Sequence, residues 1–576
     1  MKLIFQELKH HILALFVVII SIFGSTFGNL NLPTYMAEII NQGITSRDMT
    51  FILKTGAVML GFTALALVCS ILTGYFASKV SIGIGKSLRS KVFRKVESFS
   101  RNELNHFSTA SLITRTNNDI LQIQNFLIMA LRVALMAPIM CIGGLILAFG
   151  KSPEMSKVLF FSIPLLLIVV VMIGKKALPL SKSMQNKLDR INLVMQEKLT
   201  GVRVIRAFGT EAFEQKRFQG ANQDLMVTTR RMQRMMSSLM PASMLILNGT
   251  AVALVWFGGH NVPYGNIMLG DVIAVIQYVM QIMMSVMMLS MIFVLYPRAA
   301  ASAERIQEVL NMPLSIQEPA LPQAEPEQKG YLTFEDVTFT YPDADEPVLE
   351  HISFAAKPGQ TTAIIGSTGS GKSALVSLIL RFYDAQQGKI LVDRLPIKDY
   401  TTKQLRKKIG YVPQKALLFS GTVEENIRYG KPDATEAEIK HAAAIAQATE
   451  FIEKMPQQYQ SEITQGGGNV SGGQRQRLSI ARAIVRKPEI YIFDDSFSAL
   501  DFKTDAALRA ALAKETQDAT VIIVAQRIST IMNADQIIVL EEGKIMGLGT
   551  HEELLKTCET YQEIVYSQLT AEEVGA

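Results

Sequence analysis

The chain has 576 residues, of which 49% are hydrophobic and 19% charged, and its formal net charge is +6. A chain of this length is too long for one hydrophobic core, so at least two large units are expected. The positive charge is compatible with a nucleic-acid binder or with a membrane protein that has basic cytosolic loops. The long apolar runs all lie before about residue 300, which favours the membrane protein and no nucleic-acid partner.

Six apolar runs in the first half are each long enough to cross a bilayer as a helix, for which about 20 residues are needed. A long polar stretch separates the second run from the third and the fourth run from the fifth, and the other connections are short. The sequence therefore predicts a membrane domain of six helices. The runs lie near residues 12–42, 52–80, 121–149, 157–179, 236–259 and 266–296.

Basic residues are concentrated in the two long polar stretches. Residues 86–115 and 175–234 contain many Lys and Arg, whereas the short connections contain little beyond Arg47 and Lys151. Because cytosolic loops of membrane proteins carry the excess of Lys and Arg, the two stretches and both termini are predicted to be cytosolic. Apolar residues keep helical spacing in the second stretch, so the helices are expected to extend well beyond the membrane.

The membrane runs contain few carboxylates, and Glu38 and Asp271 fall near their outer ends. Ion-driven carriers usually bury carboxylates near mid-membrane, so the energy source is expected elsewhere in the chain. The sixth run has a methionine-rich face, which indicates either an adaptable lining for apolar substrates or ordinary helix packing. Gln277 and Gln281 on that helix slightly favour the lining. The methionines are Met280, Met283, Met284, Met287, Met288 and Met291.

The second half begins after a linker at 306–330 that is rich in Pro, Glu and Gln. A phosphate-binding loop then follows an apolar strand and opens a helix, which is the context that this motif requires. Its glycines let backbone N–H groups converge on phosphate oxygens, Lys372 reaches the β- and γ-phosphates, and Ser373 ligates Mg²⁺. The sequence therefore predicts a site for ATP and Mg²⁺. The loop consists of Gly366, Ser367, Thr368, Gly369, Ser370, Gly371, Lys372 and Ser373.

Two further segments extend this site. Residues 490–494 form an apolar strand that ends in Asp494, a carboxylate placed to hold Mg²⁺ through its water shell. Between the loop and this strand, a Ser-Gly-Gly-Gln run opens a helix, and a run of this kind is either an anion site or a flexible loop. After a phosphate-binding loop, we interpret it as a second phosphate grip for a nucleotide held by another subunit. The run consists of Ser471, Gly472, Gly473 and Gln474.

In this order the motifs resemble those of the ATP-binding cassette (ABC) family, and nearly the whole chain resembles an ABC exporter half-transporter. The resemblance implies an α-helical six-span transmembrane domain at 1–305, the linker at 306–330, and an α/β P-loop nucleotide-binding domain at 331–576. It also implies that two cassettes sandwich two ATP molecules, each between the phosphate-binding loop of one chain and the Ser-Gly-Gly-Gln run of the other. A chain with one cassette must therefore pair with a second half-transporter.

The resemblance also assigns roles to residues. Tyr341 matches the aromatic residue that stacks on adenine, and Gln414 matches the Q-loop glutamine, which touches Mg²⁺ and the coupling helices of the membrane domain. Gly366–Ser373 is Walker A, Asp494 closes Walker B, Ser471–Gln474 is the signature and Ser498–Asp501 is the D-loop. The coupling helices are implied near 104–111 and 208–213. The implied Mg²⁺ ligands are Ser373, Gln414 and Asp494.

Two positions depart from the pattern of the family. The residue after Walker B is usually Glu, the base that polarises the attacking water, and here it is Asp495. An error of about 1 Å in the placement of a catalytic group can cost on the order of 100-fold in rate. The switch histidine of the family is replaced by Gln526, which hydrogen-bonds phosphate but cannot carry the charge of imidazole. Two changes around one γ-phosphate indicate a site that binds ATP and hydrolyses it poorly.

The signature is intact apart from Val470, which replaces the usual Leu. This combination resembles the degenerate-site subunit of heterodimeric bacterial multidrug ABC exporters. It implies a partner subunit with a Walker B glutamate and a switch histidine, small amphipathic substrates, and a location in a bacterial plasma membrane, surrounded by lipid. The expected function is ATP-driven export of amphipathic compounds or drugs by alternating access.

Two other functions stay open. The first is a homodimeric lipid flippase or peptide exporter with the same fold. The second is an ATP-gated channel or a regulatory subunit of another membrane protein, although the spans do not suggest a pore with charged rings. A soluble DNA-repair ATPase is excluded by the apolar runs.

Overall fold

The computed structural model of the chain describes residues 2–262, 267–319, 323, 326 and 328–569. The chain divides into two compact units. The first unit consists of residues 1–97 and 109–312, and the second consists of residues 98–108 and 313–576. Parts of the predicted linker at 306–330, and the last residues of the predicted domain at 331–576, lie outside the described residues.

The first unit contains, among its described residues, six helices that are long and apolar enough to cross a membrane, as the sequence predicts. The shortest has 42 residues and the longest has 50, which corresponds to about 63 and 75 Å at 1.5 Å per residue. A hydrocarbon core of about 30 Å leaves much of each helix outside the membrane. The helices are Leu3–Ile44, Met49–Glu97, Thr109–Lys151, Pro153–Thr200, Glu211–His260 and Leu269–Asn311.

Local signals in the sequence place the turns between these helices. The third and fourth helices are separated at Ser152, whose hydroxyl accepts a hydrogen bond from the Met155 N–H, and Pro153 occupies the first helical position. Between the fourth and fifth helices, the short helix Val202–Phe208 ends at Gly209, whose φ of 65° is left-handed. The range 208–213, near which the coupling helix is implied, includes the last residue of this short helix and the first residues of the fifth membrane helix.

The sixth membrane helix is the centre of the first unit, where it packs against the first and third helices. The Tyr278 hydroxyl, fully buried, donates to the Leu30 carbonyl at 3.0 Å and lies 2.6 Å from the Thr34 hydroxyl. Near the other end, Ile306 and Val309 are fully buried. Because this apolar spacing persists, the helix continues to Asn311 through the first residues of the predicted linker.

The described residues of the second unit form three sheets. A four-stranded antiparallel sheet has the order β2-β1-β4-β5, a six-stranded sheet has the order β12-β11-β3-β10-β9-β6, and β7 pairs with β8. The strands are β1 (Leu332–Phe339), β2 (Leu349–Ala356), β3 (Thr361–Gly366), β4 (Gln387–Val392), β5 (Leu395–Pro396), β6 (Ile409–Val412), β7 (Gly421–Thr422), β8 (Glu462–Ile463), β9 (Ile490–Asp494), β10 (Thr520–Val524), β11 (Gln536–Glu541) and β12 (Lys544–Gly549).

The larger sheet determines where the loops that contain the predicted site residues lie. Its strands β11, β3, β10, β9 and β6 are parallel. Val524 at the end of β10 pairs with Asp494 at the end of β9 and with Ile364 of β3. Since carboxyl ends of parallel strands meet at one edge, the loops after β3, β9 and β10 are neighbours there. This arrangement confirms the predicted six-span domain followed by an α/β nucleotide-binding domain.

Short helices cover the sheets of the second unit. Several begin with a capping box, in which a Ser or Thr side chain and a Glu or Gln three residues later satisfy each other's backbone N–H groups. The helices are Lys372–Ile379, Thr402–Lys408, Val423–Arg428, Glu436–Ile445, Thr449–Glu453, Gly472–Ile484, Phe502–Glu515, His551–Thr557 and Glu559–Tyr566.

The second unit also includes the turn between the second and third membrane helices, residues 98–108. Its helix Arg101–Phe107 overlaps the coupling helix implied near 104–111. Glu103 of this helix is fully buried, and its two carboxylate oxygens accept from the Ser315 N–H at 2.9 Å and from the Ser100 N–H at 2.6 Å. Burial raises the pKa of the Glu103 carboxyl, but the hydrogen bonds from Ser315 and Ser100 outweigh it and hold the pKa below its ordinary value.

We predict that Glu103→Gln lowers the thermal unfolding midpoint of the detergent-purified chain by several degrees. The amide puts an NH₂ group opposite one of the two N–H donors, and loss of a hydrogen bond to a charged group costs about 1.5–3 kcal/mol. The exposed Glu97, changed to Gln, is the matched control. Because a lowered carboxyl pKa stabilises the fold only where the group is ionised, the difference should shrink below about pH 4.5. Equal midpoints at neutral pH for the two variants would contradict this role.

Candidate ATP site

The loop Gly366–Ser373 joins the end of β3 to the helix Lys372–Ile379. A side chain at Gly366 would place its Cβ 2.1 Å from the Leu540 carbonyl oxygen, so glycine is required there by the neighbouring strand β11. Gly369 and Gly371 have φ values of 90° and 102°, which L side chains rarely adopt. The loop therefore has the strand-turn-helix geometry in which backbone N–H groups face a phosphate.

Lys372 lies within this loop. Its ammonium donates to the Gly366 carbonyl at 2.8 Å and to the Ser367 carbonyl at 2.6 Å. Burial lowers the pKa of Lys372, while the charges of Asp495 and Asp494 act in the opposite direction. The ammonium is thus held at the loop by carbonyl acceptors, and a bound phosphate would compete with these carbonyls for the same N–H groups.

Asp494 ends β9 beside the loop. Burial raises the pKa of this carboxyl above its ordinary value, although the Tyr411 hydroxyl donates to its Oδ2 at 3.3 Å and lowers the pKa in part. The described residues include no cluster of three or more His, Cys, Asp or Glu that could hold a metal alone. A lone, partly desolvated carboxylate next to a phosphate loop fits Mg²⁺, which usually takes one or two carboxylates together with phosphates and water.

Asp495 does not stand free at the position of the catalytic base. Its Oδ2 accepts hydrogen bonds from two glutamine side chains, the Gln414 amide at 3.0 Å and the Gln526 amide at 3.2 Å. Its backbone N–H donates to the Val524 carbonyl at 2.8 Å, and its φ of 45° is left-handed. The sequence predicts Asp495 and Gln526 around one γ-phosphate and Gln414 at Mg²⁺, and in the structure both amides contact a single oxygen of the Asp495 carboxylate.

A cavity of about 670 Å³ opens beside these three residues, and its wall includes Arg527, Ser529 and Gln568. The Gln568 side chain donates to the Gln526 carbonyl at 2.8 Å and accepts from the Ile528 N–H at 2.9 Å. Gln568 follows the helix Glu559–Tyr566 and belongs to no motif, so no sequence pattern points to it. It fixes the backbone on both sides of Arg527, directly after the switch position.

The signature residues form a helix start rather than a flexible loop. The Ser471 hydroxyl accepts from the Gln474 N–H at 3.3 Å, and the Gln474 side chain accepts from the Ser471 N–H at 2.9 Å. A Cβ at Gly473 would lie 3.3 Å from the Ala499 carbonyl oxygen in the D-loop segment. No hydrogen bond among the described residues joins Ser471–Gln474 to Gly366–Ser373.

The arginines of the signature helix donate hydrogen bonds to backbone carbonyls within the second unit. Arg475 donates to the Gly467 and Val470 carbonyls at 2.9 and 2.8 Å. Arg477 donates to the Gln447 carbonyl at 2.7 Å, and Arg482 donates to the Asn426 carbonyl at 2.9 Å. These contacts stabilise the segments around the helix and occupy the guanidinium groups, so an anion at this helix start would contact the Ser471 hydroxyl and backbone N–H groups.

Tyr341 lies in a group of aromatic rings, 4.9 Å from Phe339 and 5.3 Å from Tyr383 between ring centroids. It is half-buried, so part of the ring is open to stack on a base. His551 is not a substitute for the switch histidine, because its Nδ1 lies 2.7 Å from the Tyr561 hydroxyl at the base of the C-terminal helices.

Comparisons with known proteins agree with this geometry. Residues 15–286 match the family model described as the ABC transporter transmembrane region, and residues 349–498 match the model described as ABC transporter. An uncharacterized ABC transporter ATP-binding protein of Mycobacterium tuberculosis is 45% identical over 96% of this chain and 95% of its own length. The uncharacterized ABC transporter ATP-binding protein YfiB of Bacillus subtilis is 40% identical over 94% of each chain.

Two further comparisons concern a named transporter and a solved structure. A fatty acid ABC transporter ATP-binding/permease protein of Mycobacterium tuberculosis is 32% identical over 92% of this chain and 83% of its own length. The solved structure of a bacterial Atm1-family ABC exporter with ATP bound has a TM-score of 0.82, covers 98% of this chain and 99% of its own, and is 24% identical. The latter likeness shows the fold.

We predict that Gln568→Ala increases amide hydrogen exchange in residues 526–530 of the purified chain. The change removes both hydrogen bonds that hold this segment, and the Ile528 N–H loses its acceptor. Glu563→Ala, an exposed change on the preceding helix, is the control and should leave the segment unchanged. Unaltered exchange at Ile528 in Gln568→Ala would show that the segment is held by other contacts.

Proposed function

The chain belongs to the ABC transporter family as a half-transporter with one membrane half and one ATP-binding half, and from this premise we propose that it is the degenerate-site subunit of a heterodimeric exporter. Members of this fold carry out ATP-driven transport as dimers of half-transporters. What we add is the kind of dimer and the division of work between its two ATP sites.

The observation that carries the proposal is the pair of amide contacts at Asp495. The carboxylate is one methylene shorter than the usual glutamate, and one of its oxygens already accepts from Gln414 and Gln526. A general base must be within hydrogen-bond reach of the water that it activates. Asp495 is instead directed to two amides, and Gln526 has no imidazole to stabilise the charge that develops on the γ-phosphate.

The remaining groups of the site support ATP binding without efficient hydrolysis. We propose that the N–H groups of Gly366–Ser373 and the Lys372 ammonium bind the phosphates, that Tyr341 stacks on adenine, and that Ser373, Gln414 and Asp494 hold Mg²⁺. The magnesium ion would supply charge neutralisation at the phosphates. The intact signature Ser471–Gln474 would complete the ATP site of the partner subunit, where a glutamate and a histidine carry out hydrolysis.

Exposed apolar side chains support a partner chain. Phe208 and Phe213, at the tip between the fourth and fifth helices, are 78% and 68% exposed. Large apolar groups exposed at a cytosolic tip favour a contact with another subunit. The coupling helix implied at this place would make that contact with the partner's cassette.

The sixth helix supports an amphipathic substrate. Met280, Met284, Met288 and Met291 are between 40% and 56% exposed along one face, whereas Met283 is buried. This stripe is soft and adaptable, as a surface for varied apolar compounds requires. Gln281 does not contribute to it, because its amide donates to the Asn29 carbonyl of the first helix at 3.3 Å.

A homodimeric lipid exporter is the second candidate, and one observation favours it. The relative named as a fatty acid ABC transporter is 32% identical over 92% of this chain. In such a homodimer both sites would carry Asp495 and Gln526. A gene for a second half-transporter beside this one would favour the heterodimer. Co-purification from native membranes, followed by drug-stimulated ATPase assays of the pair, distinguishes the two.

We predict that the purified chain alone binds ATP but hydrolyses it slowly, and that Asp495→Glu together with Gln526→His raises the rate by on the order of 100-fold. Photolabelling with an ATP analogue measures binding, and phosphate release measures hydrolysis. Lys372→Ala in the double variant is the control and should abolish the gain. Vigorous hydrolysis by the unmodified single chain would falsify the degenerate-site proposal.

A second prediction concerns the assembled pair. Asp495→Asn should change its ATPase activity only slightly, because Asp495 is not the base for the productive site. Ser471→Arg should abolish that activity, because the signature of this chain completes the partner's site. Comparable losses for the two variants would show that Asp495 itself takes part in hydrolysis.

A further inference from the structure

A groove runs along the second membrane helix and reaches the third. Its wall includes Ile71, Gly74, Tyr75 and Lys79 of the second helix and Arg132 of the third, and its volume is about 720 Å³. This volume lies within the range of about 300–1,000 Å³ that is typical of sites for small molecules. All of these residues belong to the first unit.

The two cations in this groove have no counter-charge within the described part of the chain. Lys79 and Arg132 are exposed and form no ion pair there, and the Lys79 ammonium lies 5.8 Å from the centre of the Tyr75 ring. No Asp or Glu occurs in residues 52–80 or 121–149. Because two like charges at one groove repel each other, an anion from outside this chain would stabilise both cations.

The backbone at Arg132 is unusual as well. Residues Ala130–Ala134 form a π-helical turn within the third helix. Such turns are rare and frequently occur at functional sites, and the described residues contain two others, Ile39–Ile44 and Arg115–Asp119. Here the irregular turn carries the one arginine of the third membrane run and directs it to the wall of the groove.

Both cations lie near the inner boundary of the membrane in the orientation that the basic loops predict. Lys79 is roughly 37 Å along the second helix from Lys54, and Arg132 is roughly 28 Å along the third helix from Lys151. With a hydrocarbon core of about 30 Å, both positions are at the level of inner-leaflet headgroups. The charged headgroups of inner-leaflet lipids lie at this depth.

The groove continues toward the membrane centre as an apolar, open surface. Ile71 is 61% exposed. A Cβ added at Gly74 would meet no atom within 4 Å, so the missing side chain leaves a gap in the helix surface. The groove therefore has a cationic end near the cytosol and an apolar slot directed into the bilayer.

We propose that this groove binds an anionic amphiphile, with its carboxylate or phosphate between Lys79 and Arg132 and its hydrocarbon chain along Ile71 and Gly74. This rests on the proposed function only in taking the amphiphile as cargo of the exporter. The same headgroup chemistry is offered by a single-chain amphiphile and by an anionic membrane phospholipid. The competitors in the experiment distinguish these sources.

The test uses the full chain in nanodiscs of phosphatidylcholine, without ATP or a partner. A long-chain fatty acid with a photoreactive diazirine is crosslinked at pH 8, where its carboxyl is ionised, and the labelled residues are mapped by mass spectrometry. Its methyl ester is the neutral probe. We expect the acid to label residues 70–82 and 128–136 about tenfold more strongly than the ester does, because only the acid pairs with the cations.

Matched variants test each end of the groove. Lys79→Gln with Arg132→Gln should reduce labelling by the acid about tenfold, whereas Lys54→Gln with Lys86→Gln, the same loss of charge on the second helix, should not. Gly74→Leu should block both probes, whereas Gly61→Leu, at another open glycine, should block neither. Equal labelling by acid and ester in the unmodified chain overturns the proposal, even if the glutamine variant fails to fold.

The competitors decide the source of the ligand. Displacement by unlabelled fatty acid, but not by phosphatidylglycerol, assigns the groove to a single-chain amphiphile as cargo. Equal displacement by phosphatidylglycerol assigns it to a membrane phospholipid and overturns the cargo assignment. Because the labelling requires neither hydrolysis nor a partner, its failure leaves the degenerate-site proposal intact, and failure of that proposal leaves the groove intact.

Discussion

One ammonium and two carboxylates determine the electrostatics of the ATP site. Lys372 acts on Asp494 and Asp495 in a half-buried place, where burial lowers the pKa of the lysine and raises the pKa of Asp494. The Lys372 ammonium favours the ionised form of Asp494, whereas the charge of Asp495 disfavours it. The register of β3, β9 and β10 enforces this proximity, because Asp494 and Ile364 both pair with Val524. The phosphate loop, the carboxylates and the switch position are therefore brought together at one edge of the sheet.

The motifs of this edge could be predicted from the sequence because each is a short segment next to a strand end. Gly366–Ser373 and Asp494 each directly follow or end an apolar strand that is itself recognisable in the sequence. The contacts of Asp495 could not be predicted, because they depend on a left-handed residue, with φ of 45°, that turns its carboxylate toward Gln414 and Gln526. The role of Gln568 could not be predicted either, because a side-chain amide can bind a backbone segment that is distant in sequence without any motif around the glutamine. The same holds for Glu103 and Ser315, which chain topology alone brings together.

In the membrane half, composition predicted the number of helices and not their faces. A membrane helix is apolar all round, so periodicity does not show which side meets protein. The structure divides the methionines of the sixth helix, with Met283 buried and Met280 exposed. It also shows Lys79 and Arg132 at one groove, although they are 53 residues apart in the sequence. A single cation near the end of an apolar run is usually interpreted as an interfacial anchor. The interpretation as a ligand site depends on both cations lying at the same groove.

The departures at Asp495 and Gln526 limit how this chain can take part in ATP-driven transport. A dimer of half-transporters has two composite sites, and at least one of them must hydrolyse ATP for the cycle to reset. If both chains were identical, each site would contain a shortened carboxylate held by two glutamine amides and no imidazole beside the γ-phosphate. Such a dimer would close on ATP and open slowly. The signature at Ser471–Gln474, whose helix start is intact, supports hydrolysis only where a competent base lies opposite it. We therefore infer that the missing glutamate resides on a different chain, and that the ATP bound by Gly366–Ser373 serves mainly to hold the two chains together.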